Sequence, residues 1–181
     1  LEGLRKACTE LGIALIFDEV VTGFRLAYGG AQAYYGVTPD LVAYGKALGG
    51  GYPIGAFGGK AEIMEQVNEN RIGQSGYVWM ASTLGGNPIS MAAADATLSV
   101  LRGDGVYEGL HTLGHYFRER LRRVVNDYGI EAQVIGDGPL AQLIFATHPI
   151  RDYRSTFKSD KALAQAVMMG LFRERVFLNP M

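Results

Sequence analysis

Apolar positions fall in short unbroken runs in the first half of the chain and mostly at helical spacing in the second. Leu1, Leu4, Cys8 and Leu11 recur every three to four residues, which predicts a helix over 1–11 stopped by Gly12. Ile13 to Phe17 and Leu41 to Tyr44 are continuous apolar runs rich in branched and aromatic residues, with turn or helical material between them. Such runs predict strands of a parallel sheet covered on both faces. Ile54 to Phe57, closed by Gly58-Gly59, predicts a third short strand, and a helix begins at Ala61. Gly23 to Gly36 reads as an aromatic-bearing loop with a helical turn at Ala31 to Tyr35, and Asn68 to Gly76 as a loop long enough to be functional. Asn87 is placed to cap a helix whose first turn holds Pro88; Met91, Ala94, Leu98 and Leu101 then predict a helix packed on the sheet.

The periodicity breaks at Arg102-Gly103-Asp104-Gly105, which marks a domain boundary between 1–103 and 104–181. A long helix is expected from Val106 to about Tyr128. Ala132 to Ile135 and Leu140 to Thr147, joined by Gly136-Asp137-Gly138-Pro139, form a hairpin pattern. Asp160 caps a last helix reaching Glu174. Alternating strands and helices followed by helices and a hairpin give an α/β class with an α+β second part.

Composition narrows the functional classes. A hydrophobic content of 48% with 19% charged residues is that of a globular protein, and 181 residues make one domain or parts of two on a scale of ~100–200 residues per domain. A net charge of −1 gives no electrostatic basis for nucleic acid or an anionic membrane surface. No apolar run approaches the ~18 residues of a membrane span, and no secretory signal pattern is present. The one cysteine, Cys8, cannot form an internal disulfide, which fits a cytoplasmic setting. His111 and His115 stand four apart on the long helix with no carboxylate or cysteine pattern beside them, so no metal site is expected. The chain starts at Leu1 inside a helical pattern and stops after the apolar run Val176-Phe177-Leu178, followed by Asn179-Pro180-Met181, so it reads as an internal fragment of a longer protein.

The chemistry gathers where the first two strands end. The first run delivers Asp18; the second delivers Gly45-Lys46 and then Gly49-Gly50-Gly51. In open α/β sheets ligands bind at the carboxyl edge of the strands. An acid and a lysine brought to that edge, the lysine followed by backbone nearly free of side chains, suit a flat anionic cofactor that bonds covalently to an amine. Strand alternation puts Val20 on the side of Asp18 and turns Glu19 the other way. Thr83, in Ser82-Thr83-Leu84-Gly85-Gly86-Asn87-Pro88 ahead of a helix, suits a phosphate: a hydroxyl, glycine-freed amides and a helix amino terminus all favour an anion. Two other motifs fail. Gly45-Lys46 is no P-loop, because Asp40 stands where the first glycine is required and Ala47 where a hydroxyl is. Gly136 to Ala141 fits a dinucleotide pattern formally, yet Pro139 and the strand-like residues after it occupy the place of the required helix.

Asp18-Glu19-Val20-Val21-Thr22-Gly23-Phe24-Arg25, Gly36-Val37-Thr38-Pro39-Asp40-Leu41, Tyr44-Gly45-Lys46 through Ala56, and Ser82 through Pro88 together resemble class III pyridoxal-phosphate aminotransferases. Within the class the resemblance is strongest to the glutamate-1-semialdehyde 2,1-aminomutase branch and its aminotransferase relatives. It implies a fold-type-I transferase, with 1–103 the carboxyl-terminal part of the large mixed-sheet domain that binds the cofactor and 104–181 part of the small domain. It implies pyridoxal 5'-phosphate as cofactor, bound by Lys46 through a Schiff base, with Lys46 and Asp18 catalytic and Asp18, Val20 and Thr83 also contacting the cofactor. Asp18 would keep the ring nitrogen protonated. The threonine matching Thr83 reaches the phosphate of a neighbouring subunit in the family, so a homodimer with shared sites is implied. The partners are then a small-molecule amino donor and a carbonyl acceptor. Donor and acceptor on two molecules make an aminotransferase, and both on one make an aminomutase. A catalytically inactive truncated or dimerisation fragment is the remaining alternative.

Overall fold

A computed structural model describes residues 1–178; Asn179, Pro180 and Met181, the end of the closing run, lie outside the described residues. The chain divides into two compact units, Leu1–Gly109 and a second from Leu110 onward.

The first unit is built on a three-stranded sheet in the order β1-β2-β3, with β1 Ile16–Glu19, β2 Leu41–Tyr44 and β3 Ala56–Gly59. β1 and β2 run parallel, pairing Ile16 with Leu41 and Asp18 with Ala43. β3 returns antiparallel, with Ala43 opposite Phe57, so the sheet is mixed where the runs alone predict a parallel one. Ile16 is 61% exposed and Phe57 about half exposed, so this sheet is not covered on both faces by the described residues.

Two strands of this sheet are displaced from their predicted spans. β1 begins at Ile16 because two of the three residues before it serve other bonds. The Ile13 amide donates to the Cys8 carbonyl at 2.8 Å and closes α1 (Glu2–Glu10), while the Leu15 amide donates to the Asp40 carboxylate at 2.7 Å. The strand consequently runs on through Asp18 and Glu19. β3 starts two residues late and includes Gly58 and Gly59. A Cβ at Gly59 would meet the Asp40 carbonyl and the Leu41 side chain, so only a glycine lets the backbones close there.

Cys8, Leu15 and Val37 form a small buried cluster against which Phe17 packs, seating α1 and the end of α2 (Gly30–Tyr35) on β1. Asp40 pins the amino ends of β1 and β2: its carboxylate accepts from the Leu15 amide and pairs with Arg5 and with Lys60, each at 2.7 Å. Those contacts, the Leu15 amide foremost, hold the Asp40 carboxyl well below the ordinary carboxylate range.

After β2 a tight 3-10 turn spans Lys46–Gly49, and a short α3 (Ala61–Met64) follows β3. α4 (Pro88–Leu101) is capped by Asn87, whose side-chain oxygen accepts from the Ser90 amide at 2.9 Å. α4 packs on the Lys46–Gly49 turn, where the periodicity predicts the sheet. Gly50, at φ 56°, is the point of contact: a Cβ there would run into the Thr97 hydroxyl.

In the second unit, the part of α5 (Val106–Asp127) from Leu110 onward lies over a two-stranded hairpin of β4 Gln133–Ile135 and β5 Gln142–Ile144. The buried Arg118 guanidinium donates to the carbonyls of Gly138 and Leu140, and Gly114 leaves room for the Gly138 carbonyl and Pro139 against the helix. That arrangement is a hairpin turn and no phosphate loop. Asp160 caps α6 (Lys161–Arg173) through the Leu163 amide at 2.9 Å. No helix among the described residues is long and apolar enough to cross a membrane, and no group of three or more potential metal ligands occurs among them.

Candidate active site at the carboxyl edge of the sheet

Parallel pairing of β1 and β2 sends both strand ends to the same edge, because Asp18 and Glu19 stand opposite Ala43 and Tyr44. Lys46 follows β2 by two residues. Asp18 is inside β1 and does not terminate it. Its Oδ1 accepts from the Val20 amide at 3.1 Å, a local turn that fixes one oxygen of an exposed carboxylate. Its second oxygen has no hydrogen-bond partner among the described residues.

That same turn ends strand alternation at Glu19, so the position of Val20 follows from the turn and not from the period of two. Val20 nevertheless reaches the neighbouring strand end: a Cβ on Gly45 would touch its side chain at 3.4 Å. Val20 therefore packs against the residue just ahead of Lys46.

Lys46 has φ 43°, one of three non-glycine residues with positive φ among those described. This backbone region costs a side-chain-bearing residue of order 1–3 kcal/mol and persists where its surroundings enforce it, most often at functional sites. Gly45 before it is fully extended, and Gly50 after the turn is again left-handed. The turn is held from outside by α4, with the Ser90 hydroxyl donating to the Pro53 carbonyl at 2.8 Å. Lys46 is exposed and joins no ion pair among the described residues. Lys60 and Lys6 differ, the first bound to Asp40 at the opposite edge of the sheet and the second to Glu10 on α1.

Thr83 is exposed in the bend before the Asn87 cap. No hydrogen bond joins it to Asp18, Val20 or Lys46 among the described residues. Its neighbourhood is apolar and uncovered, with Trp79 at 77% and Leu84 at 69% exposure.

The structure adds groups beneath this edge to which the patterning assigned no role. Glu19 is buried at 1% exposure, and its carboxylate accepts from the Ala31 amide at 2.5 Å, the Gln32 amide at 3.0 Å and the Thr22 hydroxyl at 3.2 Å. Gln32 in turn donates to the Tyr44 phenol at 2.5 Å. Burial, and then the negative charge of Glu19, push the Tyr44 phenol above its ordinary value. Alternation turned Glu19 away from the side of Asp18, which was the available signal; its partners come from α2 and the loop before it, which no local pattern links to it.

The family model for class-III aminotransferases matches residues 1–176. A glutamate-1-semialdehyde 2,1-aminomutase of Natranaerobius thermophilus is 44% identical over 180 residues, covering 99% of this chain and 41% of that protein. Glutamate-1-semialdehyde 2,1-aminomutase 2 of Lachnoclostridium phytofermentans is 47% identical over 181 residues, again covering 41% of its length. Among solved structures, an omega-transaminase from Sphaerobacter thermophilus superposes with a TM-score of 0.89 at 36% identity, covering 99% of this chain and 40% of that one. A transaminase solved with PLP bound superposes at 0.84 with 26% identity, covering 98% and 40%. The chain thus spans about two fifths of the length of the relatives it matches.

Proposed function

We propose, from the premise that this chain belongs to the class-III aminotransferase family, that it supplies the amine and the acid of a site that moves an amino group with pyridoxal 5'-phosphate. The observation that carries this reading is Lys46: an amine in no ion pair among the described residues, on a strained left-handed residue two positions past β2, next to the strand that bears Asp18. The residues present fit the cofactor. They offer one amine free of a carboxylate, one acid with an oxygen left to accept, and a glycine-rich turn that admits a flat ring.

When bound, pyridoxal phosphate acts as an electron sink for the carbon that gives up its amino group. Lys46 Nζ would hold the cofactor covalently and would be the base that carries a proton to or from that carbon. The Asp18 carboxylate holds a proton on the ring nitrogen, since a negative charge beside a base favours its protonated form. Val20 packs at the same edge and would keep water from one face of the ring. Thr83, with the amide of Gly86, would hold the cofactor phosphate of a second subunit. The exposed Trp79, Met80 and Leu84 around it support a homodimeric contact, because apolar side chains at such exposure mark surfaces that a partner covers. Residues 1–103 then belong to the large domain and 104–181 to the small one, in a cytoplasmic enzyme.

A small-molecule donor and a separate carbonyl acceptor make this an aminotransferase. The names of the relatives at 44% and 47% identity favour intramolecular transfer as the second reading. Borohydride reduction of the full-length protein with pyridoxal phosphate tests the site. Label is expected on the peptide containing Lys46, and label on Lys60 or Lys6 instead overturns it. Turnover of one substrate without added acceptor separates the aminomutase from the aminotransferase.

A further inference from the structure

Glu19 lies one residue from the acid that faces the cofactor, yet points into the protein and takes no part in the chemistry proposed above. Its surroundings are built tightly. A Cβ on Gly30 would overlap its carboxylate, and a Cβ on Gly23 would lie 2.6 Å from both its carbonyl oxygen and the Tyr44 ring. The Gly23 amide donates to that carbonyl at 2.8 Å. Only glycine at both places lets the loop after β1 fold back over the carboxylate.

The bonds form a closed circuit between the two strand ends. Glu19 accepts from the Gln32 amide, the Gln32 side chain donates to Tyr44, and Tyr44 is paired with Glu19 across the sheet. Tyr44 also packs its ring on Phe24 with centroids 5.1 Å apart. Phe24 is a second non-glycine residue at positive φ, 59°, and its carbonyl accepts from the Tyr107 hydroxyl at 3.0 Å. Two corners of the circuit abut site residues: Asp18 precedes Glu19, and Gly45-Lys46 follows Tyr44.

We propose that Glu19, acting through Gln32 and Tyr44, is a positioning residue that sets the placement of Asp18 relative to Lys46. The inference rests on the reading of Asp18 and Lys46 given above. Two features of the geometry support it. A buried carboxylate with three donors is costly to displace, so the strand end it carries has one position. The left-handed Lys46 requires a neighbourhood that over-determines its backbone, and the circuit together with α4 supplies one.

Glu19→Gln is nearly isosteric but turns one acceptor into a donor that faces the Ala31 or Gln32 amide, which opens the circuit while the surrounding packing stays. Tyr44→Phe keeps the ring contact with Phe24 and loses only the Gln32 bond. Both are made in the full-length protein loaded with pyridoxal phosphate. The readout is the pH midpoint of the bound cofactor's visible absorbance, which senses the charges of Asp18 and Lys46 around it. Glu19→Gln should move the midpoint by at least about half a unit, Tyr44→Phe in the same direction by less, and the double variant by less than the sum. Glu19→Asp should leave it between wild type and Glu19→Gln.

A merely structural Glu19 lowers the thermal midpoint and the folded fraction but leaves the absorbance midpoint of the remaining protein at the wild-type value. That result overturns the proposal. If Glu19→Gln does not fold, an unmoved midpoint in Tyr44→Phe overturns it equally. Borohydride labelling of the wild type keeps the two readings apart. Label absent from Lys46 rejects the site itself, whereas label on Lys46 with unmoved midpoints rejects only the role of Glu19.

Discussion

Asp18→Asn separates charge from shape at the proposed site. Asn keeps a side-chain oxygen in the place of Oδ1, so the 3.1 Å bond from the Val20 amide survives and the turn after β1 is retained. Asp18 is exposed and in no ion pair among the described residues, so the effect on stability should be within about 0.5 kcal/mol, as for ordinary surface changes. What disappears is the negative charge available to a protonated ring nitrogen. A hydrogen bond between charged groups contributes roughly 1.5–3 kcal/mol. A direct Coulomb figure for unit charges about 4 Å apart at an effective dielectric of 20 is about 4 kcal/mol, an upper bound on the same interaction. Removing a preorganised electrostatic element costs ~100- to 1,000-fold in rate, or about 2.7–4 kcal/mol. The two ranges overlap near 3 kcal/mol, which sets the expected loss at ~100-fold or more at 1.36 kcal/mol per decade. The assay is single-turnover proton abstraction in the full-length protein with donor in excess, alongside bound cofactor by absorbance and the thermal midpoint. A rate within a factor of a few of wild type, with cofactor bound, refutes the electrostatic role. A collapse of the thermal midpoint refutes the claim that the Val20 bond survives.

Asn87→Ala removes the cap of α4 and its bond from the Ser90 amide, and should cost about 1 kcal/mol by denaturant unfolding of the full-length protein. Because α4 holds the turn after Lys46, the same variant should loosen hydrogen-exchange protection at 46–50, and unchanged protection there counts against that link. Asp40 sets an acid limit. Its folded pKa is depressed, so its contribution is present above the unfolded value near 4 and is lost as pH falls through the folded one. Stability should therefore fall more steeply below about pH 4 in wild type than in Asp40→Asn, and parallel acid profiles would contradict this.

Much of this protein is legible from local pattern, and the reason is physical. Continuous apolar runs, Asn87 before Pro88, Asp160 before α6 and the break at Arg102 to Gly105 depend on backbone and side-chain preferences that act over a few residues. Those positions predict β2 and the α4 and α6 caps where the structure has them, and the β4-β5 hairpin with its second strand shortened from the expected Leu140 to Thr147 to Gln142–Ile144. The placement of Asp18 and Lys46 near the carboxyl ends of β1 and β2 is likewise visible, because an acid and an amine at the ends of apolar runs are a local fact. Tertiary structure decided the rest. β1 slid from Ile13 to Ile16 because a distant carboxylate, Asp40, claimed the Leu15 amide. β3 returned antiparallel, and glycine at 59 let its backbone close on Asp40 and Leu41. Glu19 became a buried hub because α2, eleven residues further along, brought two amides to it. The left-handed backbone of Lys46 has no signature in its own side chain; it is imposed by the turn and by α4 packed on it. Hydrogen bonds between residues far apart in sequence compete with local preference for the same donors, and only the folded chain shows which partner each donor takes.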